Sequence, residues 1–275
     1  MSIASLARGL TKLERIVQKR LAARQNPDDS ALRDLQSDPT LVMNRGGMSP
    51  DAWQERLLRS PASRLLLLCS RQSGKSTVAA ALALLTALLR HRSLVLVLSP
   101  SLRQSSELFR KVLDLFASLG RPMRVVAESA LRLELANGSR VVALPGDEKN
   151  VRCYSGVAML IIDEAARVED ALYCSVRPML AVSQGRLVAL STPFGKRGWF
   201  NEEWHGEGEW ERVKVTAEEC PRIPADFLAE ERRALGERWY RQEYLCSFEE
   251  TIDAVFAYAD IQAAMSDEVK PLFVS

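Results

Sequence analysis

The sequence is poor in the residue types that build metal centres. It holds two histidines, His91 and His205, and five cysteines, at positions 69, 153, 174, 220 and 246. No two cysteines form a C-x-x-C pair and neither histidine lies near one in sequence, so the spacing argues against a zinc site and for reduced thiols. Long hydrophobic runs are also missing. The longest, residues 78–89, is interrupted by Thr86 and is too short to span a bilayer. No apolar stretch of signal-peptide length precedes Arg8 and Lys12. The expectation is a soluble, cytoplasmic chain with no membrane partner. Neither sign of charge is in excess: 37 Lys and Arg against 35 Asp and Glu leave a net +2. Any nucleic-acid surface must therefore be a local patch. Repeats and low-complexity segments are absent as well. With 47% hydrophobic and 26% charged residues, the 275-residue chain can bury a substantial core.

The strongest local feature is an apolar run, Leu65-Leu66-Leu67-Leu68-Cys69, that feeds Ser70-Arg71-Gln72-Ser73-Gly74-Lys75-Ser76-Thr77 and then an alanine- and leucine-rich helix former. Strand, polar loop and helix in that order are the context of a phosphate-binding loop. Backbone N–H groups of residues 70–77 and the positive end of the helix would cradle polyphosphate. Lys75 would reach the β- and γ-phosphates, and the Ser76 hydroxyl would ligate Mg²⁺. The usual first glycine, five residues before Gly74, is Cys69 here.

Amphipathic spacing predicts a helix over residues 3–25, a breaker at 26–30, a short helix at 31–36, and a loop through Gly47. Ser49-Pro50-Asp51 reads as the start of a helix over 52–59, with Ser49 as its cap. Beyond the loop strand, residues 94–98, 157–162 and 186–190 are apolar runs of strand length, as expected for a sheet buried on both faces. Residues 123–127, 131–135 and 140–144 read as shorter strands around an Asn137-Gly138 turn. Helices are expected at 102–119, 169–182, 224–233 and 236–246, and a last strand at 210–215. This alternation predicts a three-layer α/β fold with a mostly parallel central sheet, preceded by an N-terminal helical segment over 1–48.

In such sheets ligands bind at the carboxyl ends of strands. Asp163-Glu164 ends one apolar strand: Asp163 is placed to hold Mg²⁺, and Glu164 to polarise an attacking water as general base. Ser191-Thr192-Pro193 ends another, where Thr192 could sense the γ-phosphate or merely cap the following helix. Gln54 carries an amide able to read an adenine edge, although an exposed helical glutamine reads nearly as well. Arg71 lies inside the loop. Arg152 precedes the Asp-Glu strand and is either an arginine finger reaching a neighbouring subunit or a surface residue. Arg103, Lys111, Arg121 and Lys149 are candidate DNA contacts.

The three signatures Ser70–Ser76, Leu160-Ile161-Ile162-Asp163-Glu164-Ala165-Ala166 and Ser191-Thr192-Pro193-Phe194-Gly195, with Trp53-Gln54 upstream, resemble the ATPase domain of the large terminase subunit of tailed bacteriophages. The resemblance covers about residues 50–260. It implies an ASCE-type P-loop ATPase core over 49–250 that hydrolyses ATP with Mg²⁺ and drives double-stranded DNA into a procapsid in the host cytoplasm. It further implies a homo-oligomeric, pentameric ring working with the portal protein and the small terminase subunit. By this match Lys75 and Ser76 bind phosphate and metal, Asp163 ligates metal and Glu164 is the base. Ser191 and Thr192 match a coupling motif, Gln54 the adenine contact, and Arg71 or Arg152 the arginine finger. Large terminases usually continue into a nuclease domain. Residues 251–275 fall where its linker would begin, so nuclease activity is not expected of this chain. Two other readings share much of this pattern: a superfamily-2-like helicase motor, and a non-catalytic ATP-dependent assembly switch.

Overall fold

The computed structural model describes residues 27–146, 151 and 154–250. The segment expected as a helix at 3–25, Arg152 and the expected linker at 251–275 lie outside the described residues. The scaffold is one eight-stranded sheet: β1 (Arg64–Cys69), β2 (Leu94–Ser99), β3 (Val125–Glu128), β4 (Arg132–Leu135), β5 (Arg140–Pro145), β6 (Met159–Asp163), β7 (Arg186–Ser191) and β8 (Glu211–Val215). Its order is β3-β4-β5-β2-β6-β7-β1-β8. The pairs from β5 through β8 are parallel; β3 and β4 add an antiparallel edge beside β5.

The unbroken apolar runs are explained by burial on both faces. Alternate residues of each strand serve different cores: Leu65, Leu67, Val95, Val97, Met159, Ile161, Val188 and Leu190 face one. Leu66, Leu68, Leu96, Leu98, Leu160, Ile162, Leu187 and Ala189 face the other. Against the first face lie α4 (Lys75–Leu89) and α5 (Leu102–Ser118). The helix α4 is buried nearly all round, which its small alanines permit, because α1 (Pro27–Ser37), α2 (Leu41–Asn44), α3 (Ala52–Arg59) and α5 pack around it. The second face is covered by α6 (Asp170–Val176) and α7 (Gly198–His205), with Tyr173 stacked on Trp199 at 3.8 Å. Two short helices, α8 (Ala225–Leu235) and α9 (Glu237–Glu243), close a small third cluster around Leu228, Tyr240 and Tyr244.

Several local expectations need correction. Residues 27–30 are not a breaker: the helix starts at Pro27, since proline is tolerated in a first turn where no backbone donor is needed. Leu41–Asn44 forms a helical turn in the expected loop. The cap of α3 is Asp51, not Ser49; Gln54 Oε1 accepts the Asp51 N–H at 2.9 Å, as in a capping box. The helix expected over 169–182 ends at Val176 and tightens into a 3₁₀ turn, Arg177–Leu180, because Pro178 supplies no N–H to continue it. Residues 244–246 leave the last helix, which stops at Glu243.

Candidate functional site

Strand order assembles the site. With β7 between β6 and β1, three strand tips stand side by side: Leu68 pairs with Ser191, and Asp163 with Leu190. The phosphate-loop sequence, Asp163-Glu164 and Ser191-Thr192 therefore meet along one edge of the sheet. The loop turns from β1 into α4 through Gln72 (φ 59°) and Gly74 (φ 91°), both in the left-handed region. Glycine is required at 74 for two reasons. Its φ disfavours a side chain, and an added Cβ would lie 2.7 Å from Gln54 Nε2. The Ser73 hydroxyl donates to the Ser70 carbonyl at 2.9 Å, closing the loop on itself.

Four distant segments hold that loop. Gln54, only 2% exposed, donates Nε2 to the Gly74 carbonyl at 3.4 Å while Oε1 serves Asp51. Arg222 forms a two-pronged pair with Asp51 at 2.6 and 2.7 Å and donates to the Ser73 carbonyl at 2.9 Å. From α9, buried Glu243 takes Arg71 Nε at 2.5 Å, and its carbonyl accepts the Arg71 N–H at 3.2 Å. The Ser70 N–H is bound by the Val215 carbonyl of β8 at 2.9 Å.

A cavity of about 480 Å³ opens over the loop. Arg71, Lys75, Lys111 and Arg167 contribute four cationic side chains to its wall, and Glu164 the one carboxylate; Ser76, Thr77 and Thr192 add hydroxyls. Such an excess of positive charge at a helix N-terminus suits a polyanion. Lys75 Nζ lies 3.4 Å from Glu164 Oε1, and Arg167 Nη1 lies 3.4 Å from Glu164 Oε2. Glu164 itself has φ 51° and ψ 41°, a left-handed conformation costly for a non-glycine residue, and it starts the 3₁₀ turn Ala165–Arg167. Asp163, 6% exposed, accepts the Glu164 N–H at 3.0 Å. Burial, followed by the neighbouring Glu164 charge, pushes its pKa up to about 6.

The donor set fits Mg²⁺ shared with phosphate oxygens. Mg²⁺ is held through one or two carboxylates plus substrate phosphates rather than by an all-protein cage. Asp163 supplies a buried carboxylate at the strand tip, and Ser76 a hydroxyl in the first turn of α4. Among the described residues there is no group of three or more His, Cys, Asp or Glu side chains arranged as a self-sufficient metal cage.

The structure thus brings together residues 70–77, Asp163, Glu164 and Thr192 as expected from sequence. The helix after Thr192 has Arg197 at its N-cap position and its Trp199 N–H bound by Asp170 Oδ1 at 2.8 Å, so Thr192 does not cap it and stands on the cavity wall. Gln54 reaches the loop, but both ends of its amide are committed to protein groups. Lys111, read as a DNA candidate, lines the cavity, its Nζ 3.4 Å from Thr77 Oγ1. Arg121 pairs with Glu128 at 3.0 Å, and Arg103 is exposed. Lys149 and Arg152 lie outside the described residues. Cys69, in place of the first glycine, is fully buried and its thiol pKa is pushed far up by that burial, so it packs as a small apolar residue. Sequence reasoning missed Arg167 and Gln104, which line the cavity, and Arg222 and Glu243, which brace the loop. Only Arg167 carried a local signal, three residues beyond Glu164.

Comparison with known proteins converges on one group. A family model described as the N-terminal part of the T4likevirus-type terminase large subunit matches residues 66–263. The large terminase subunit of Escherichia phage T5 is 27% identical over 220 residues, 75% of this chain and 50% of that protein. The chain spans about half the length of the curated relatives it matches. Among solved structures, the large terminase ATPase domain of Thermus phage P74-26 superposes with a TM-score of 0.66 at 22% identity, covering 76% of this chain and 96% of that one. The large terminase of a thermophilic bacteriophage, solved in complex with ATP-γ-S, superposes at 0.58 and 16% identity, covering 72% of this chain and 52% of that one.

Proposed function

Because the chain belongs to the family of T4-like terminase large subunits, in its N-terminal domain, we propose that it binds and hydrolyses ATP with Mg²⁺ as a motor for double-stranded DNA. The observation that carries the reading is the pairing of Lys75, after β1, with Glu164, after β6, across the tip of the intervening β7. It puts a phosphate-binding cation and a candidate base in one cavity. A polyanion entering the cavity meets the Lys75 ammonium, the loop N–H groups and the N-terminal end of α4. Lys75 turns to the β- and γ-phosphates and releases Glu164 Oε1. That oxygen is then free to accept a proton from water in line with the γ-phosphate, a contribution of about 10²–10⁴ in rate. Asp163 and Ser76 would hold Mg²⁺, which when bound offsets charge on the transferring phosphoryl group. Arg71 stands at the cavity wall and reaches the γ-phosphate once it leaves Glu243.

The adenine ring has a separate candidate site. A second cavity of about 620 Å³ shares Arg71 and Gln72 with the first and adds Arg222, Phe227 and Tyr244. Two rings and a guanidinium there suit stacking on a purine. Gln54 then acts on the nucleotide through the loop backbone, not by direct contact. For the whole motor we propose the ATPase core at 49–250, a pentameric ring with Arg152 as the finger between subunits, and action at the portal of a procapsid in the host cytoplasm with the small terminase subunit. The test is ATP turnover against protein concentration for the wild type, Arg71→Ala, Arg152→Ala and Glu164→Ala. Turnover rising faster than linearly and lost in all three variants supports a ring motor. Turnover strictly proportional to protein and indifferent to Arg152 removes the ring reading. Turnover unchanged by Glu164→Ala removes the catalytic one.

A further inference from the structure

We propose that Arg167 is a positioning residue for Glu164, and that it carries the state of the segment after β7 to the candidate base. This rests on Glu164 being the base. Arg167 meets Glu164 twice: its N–H donates to the Glu164 carbonyl at 2.9 Å, and its guanidinium lies 3.4 Å from Oε2. The same guanidinium sits over the Phe194 ring, Cζ 4.5 Å from the centroid. Phe194 follows Thr192 by two residues in the segment that leaves β7, and Thr192 lines the same cavity.

The arrangement divides the carboxylate between two cations. Lys75 takes Oε1 and Arg167 takes Oε2. A phosphate group in the cavity competes for Lys75, a flexible point charge at the loop. Arg167 does not face the same competition on equal terms, because stacking on Phe194 orders its planar head. Glu164 then keeps one oxygen pinned and offers the other to water. Without Arg167 the carboxylate would lose its orientation, in a backbone conformation already costly for glutamate. Movement of the segment carrying Thr192 and Phe194 would shift the ring, the guanidinium and the carboxylate together. An exposed i,i+3 pair would do none of this. Here the two side chains are only 28% and 21% exposed and both border the cavity.

The test compares ATP turnover with ADP and ATP-γ-S affinity in the full 275-residue chain for Arg167→Met, Arg167→Lys, Phe194→Leu, the Arg167→Met/Phe194→Leu double variant and Glu164→Gln. Arg167→Met is expected to lower kcat about 10- to 100-fold with nucleotide affinity within about twofold, the pattern of a group that acts on the reaction and not on binding. Arg167→Lys restores part of kcat, since it keeps charge but not the stacked plane. Phe194→Leu lowers kcat less, and the double variant is no slower than Arg167→Met alone, because both act on one unit. Three results overturn the proposal: kcat unchanged in Arg167→Met; a loss confined to nucleotide affinity, which makes Arg167 a phosphate ligand; or fully additive effects of Arg167 and Phe194. If Arg167→Met does not fold, Arg167→Lys and Phe194→Leu decide, and wild-type kcat in both overturns the proposal. Glu164→Gln separates the two levels. If it turns over like the wild type, the base reading itself fails; if it is dead while Arg167→Met is normal, only the role of Arg167 fails.

Discussion

Lys75 Nζ and Glu164 Oε1 stand 3.4 Å apart, one after β1 and the other after β6 with β7 between, so the cation that would grip a phosphate and the carboxylate that would activate water hold each other. Replacing Glu164 by Gln removes the charge that competes for Lys75. The expected outcome is turnover reduced by about 10²–10⁴, with ATP-γ-S affinity unchanged or several-fold tighter in equilibrium titration. Lys75→Ala is expected to lose the affinity itself.

Asp163 gives a pH dependence of stability. Its pKa is raised by burial to about 6, while in an unfolded chain it titrates near its ordinary value of about 3.9. The folded state therefore prefers the protonated form. Its contribution to stability is present at pH below about 4 and is lost as pH rises through about 6, a difference of about 3 kcal/mol. Asp163→Asn is expected to stabilise the protein by an amount of this order at pH 7.5 and by little at pH 4, read from urea unfolding. The same variant should lose the Mg²⁺-dependent part of nucleotide binding.

Glu243 is buried and grips Arg71 at 2.5 Å, with Gln242 Nε2 on its other oxygen at 3.1 Å. This pair therefore competes with a phosphate for Arg71. Glu243→Gln is expected to tighten ATP-γ-S binding about two- to tenfold, and Arg71→Ala to weaken it, consistent with a charged hydrogen bond of about 1.5–3 kcal/mol partly offset by solvent. Binding indifferent to both changes would leave Arg71 a structural tie between the loop and α9.

Gly74 is constrained both by its own backbone and by a neighbour. Gly74→Ala is expected to destabilise the fold by about 1–3 kcal/mol through the left-handed φ alone, plus the contact with Gln54 Nε2. Gln54→Ala in the same chain removes the contact but not the backbone cost, so thermal unfolding of the double variant should recover only part of the loss.

The layered architecture was legible from local pattern. Runs such as Leu94-Val95-Leu96-Val97-Leu98 read as strands buried on both faces, because every residue there has an apolar neighbour on one side or the other. The position of loop residues 70–77 between a strand and a helix, and of Asp163-Glu164 at a strand end, was legible for the same reason: each is set within a few residues. Helix ends were less so, since Pro27 and Pro178 act through backbone donors whose partners depend on the surroundings. Gln54 was read as an adenine contact or an exposed helical residue, and the structure buries it against the loop. The sequence shows an amide, and only packing shows that Asp51 and Gly74 occupy both of its ends.

Local pattern alone specifies the set of strands, the loop that follows β1, and the acidic and hydroxyl tips proposed to carry chemistry. These depend on hydrophobic periodicity and on short-range geometry. The tertiary structure decided which tips meet, by inserting β7 between β6 and β1, and which distant groups restrain them. Arg222 and Glu243 reach the loop from 149 and 172 residues away, and the Arg167–Phe194 contact exists only because two loops leave adjacent strands. Charge and stacking act over a few ångströms in space. Chain order carries no record of such distances until the sheet is assembled.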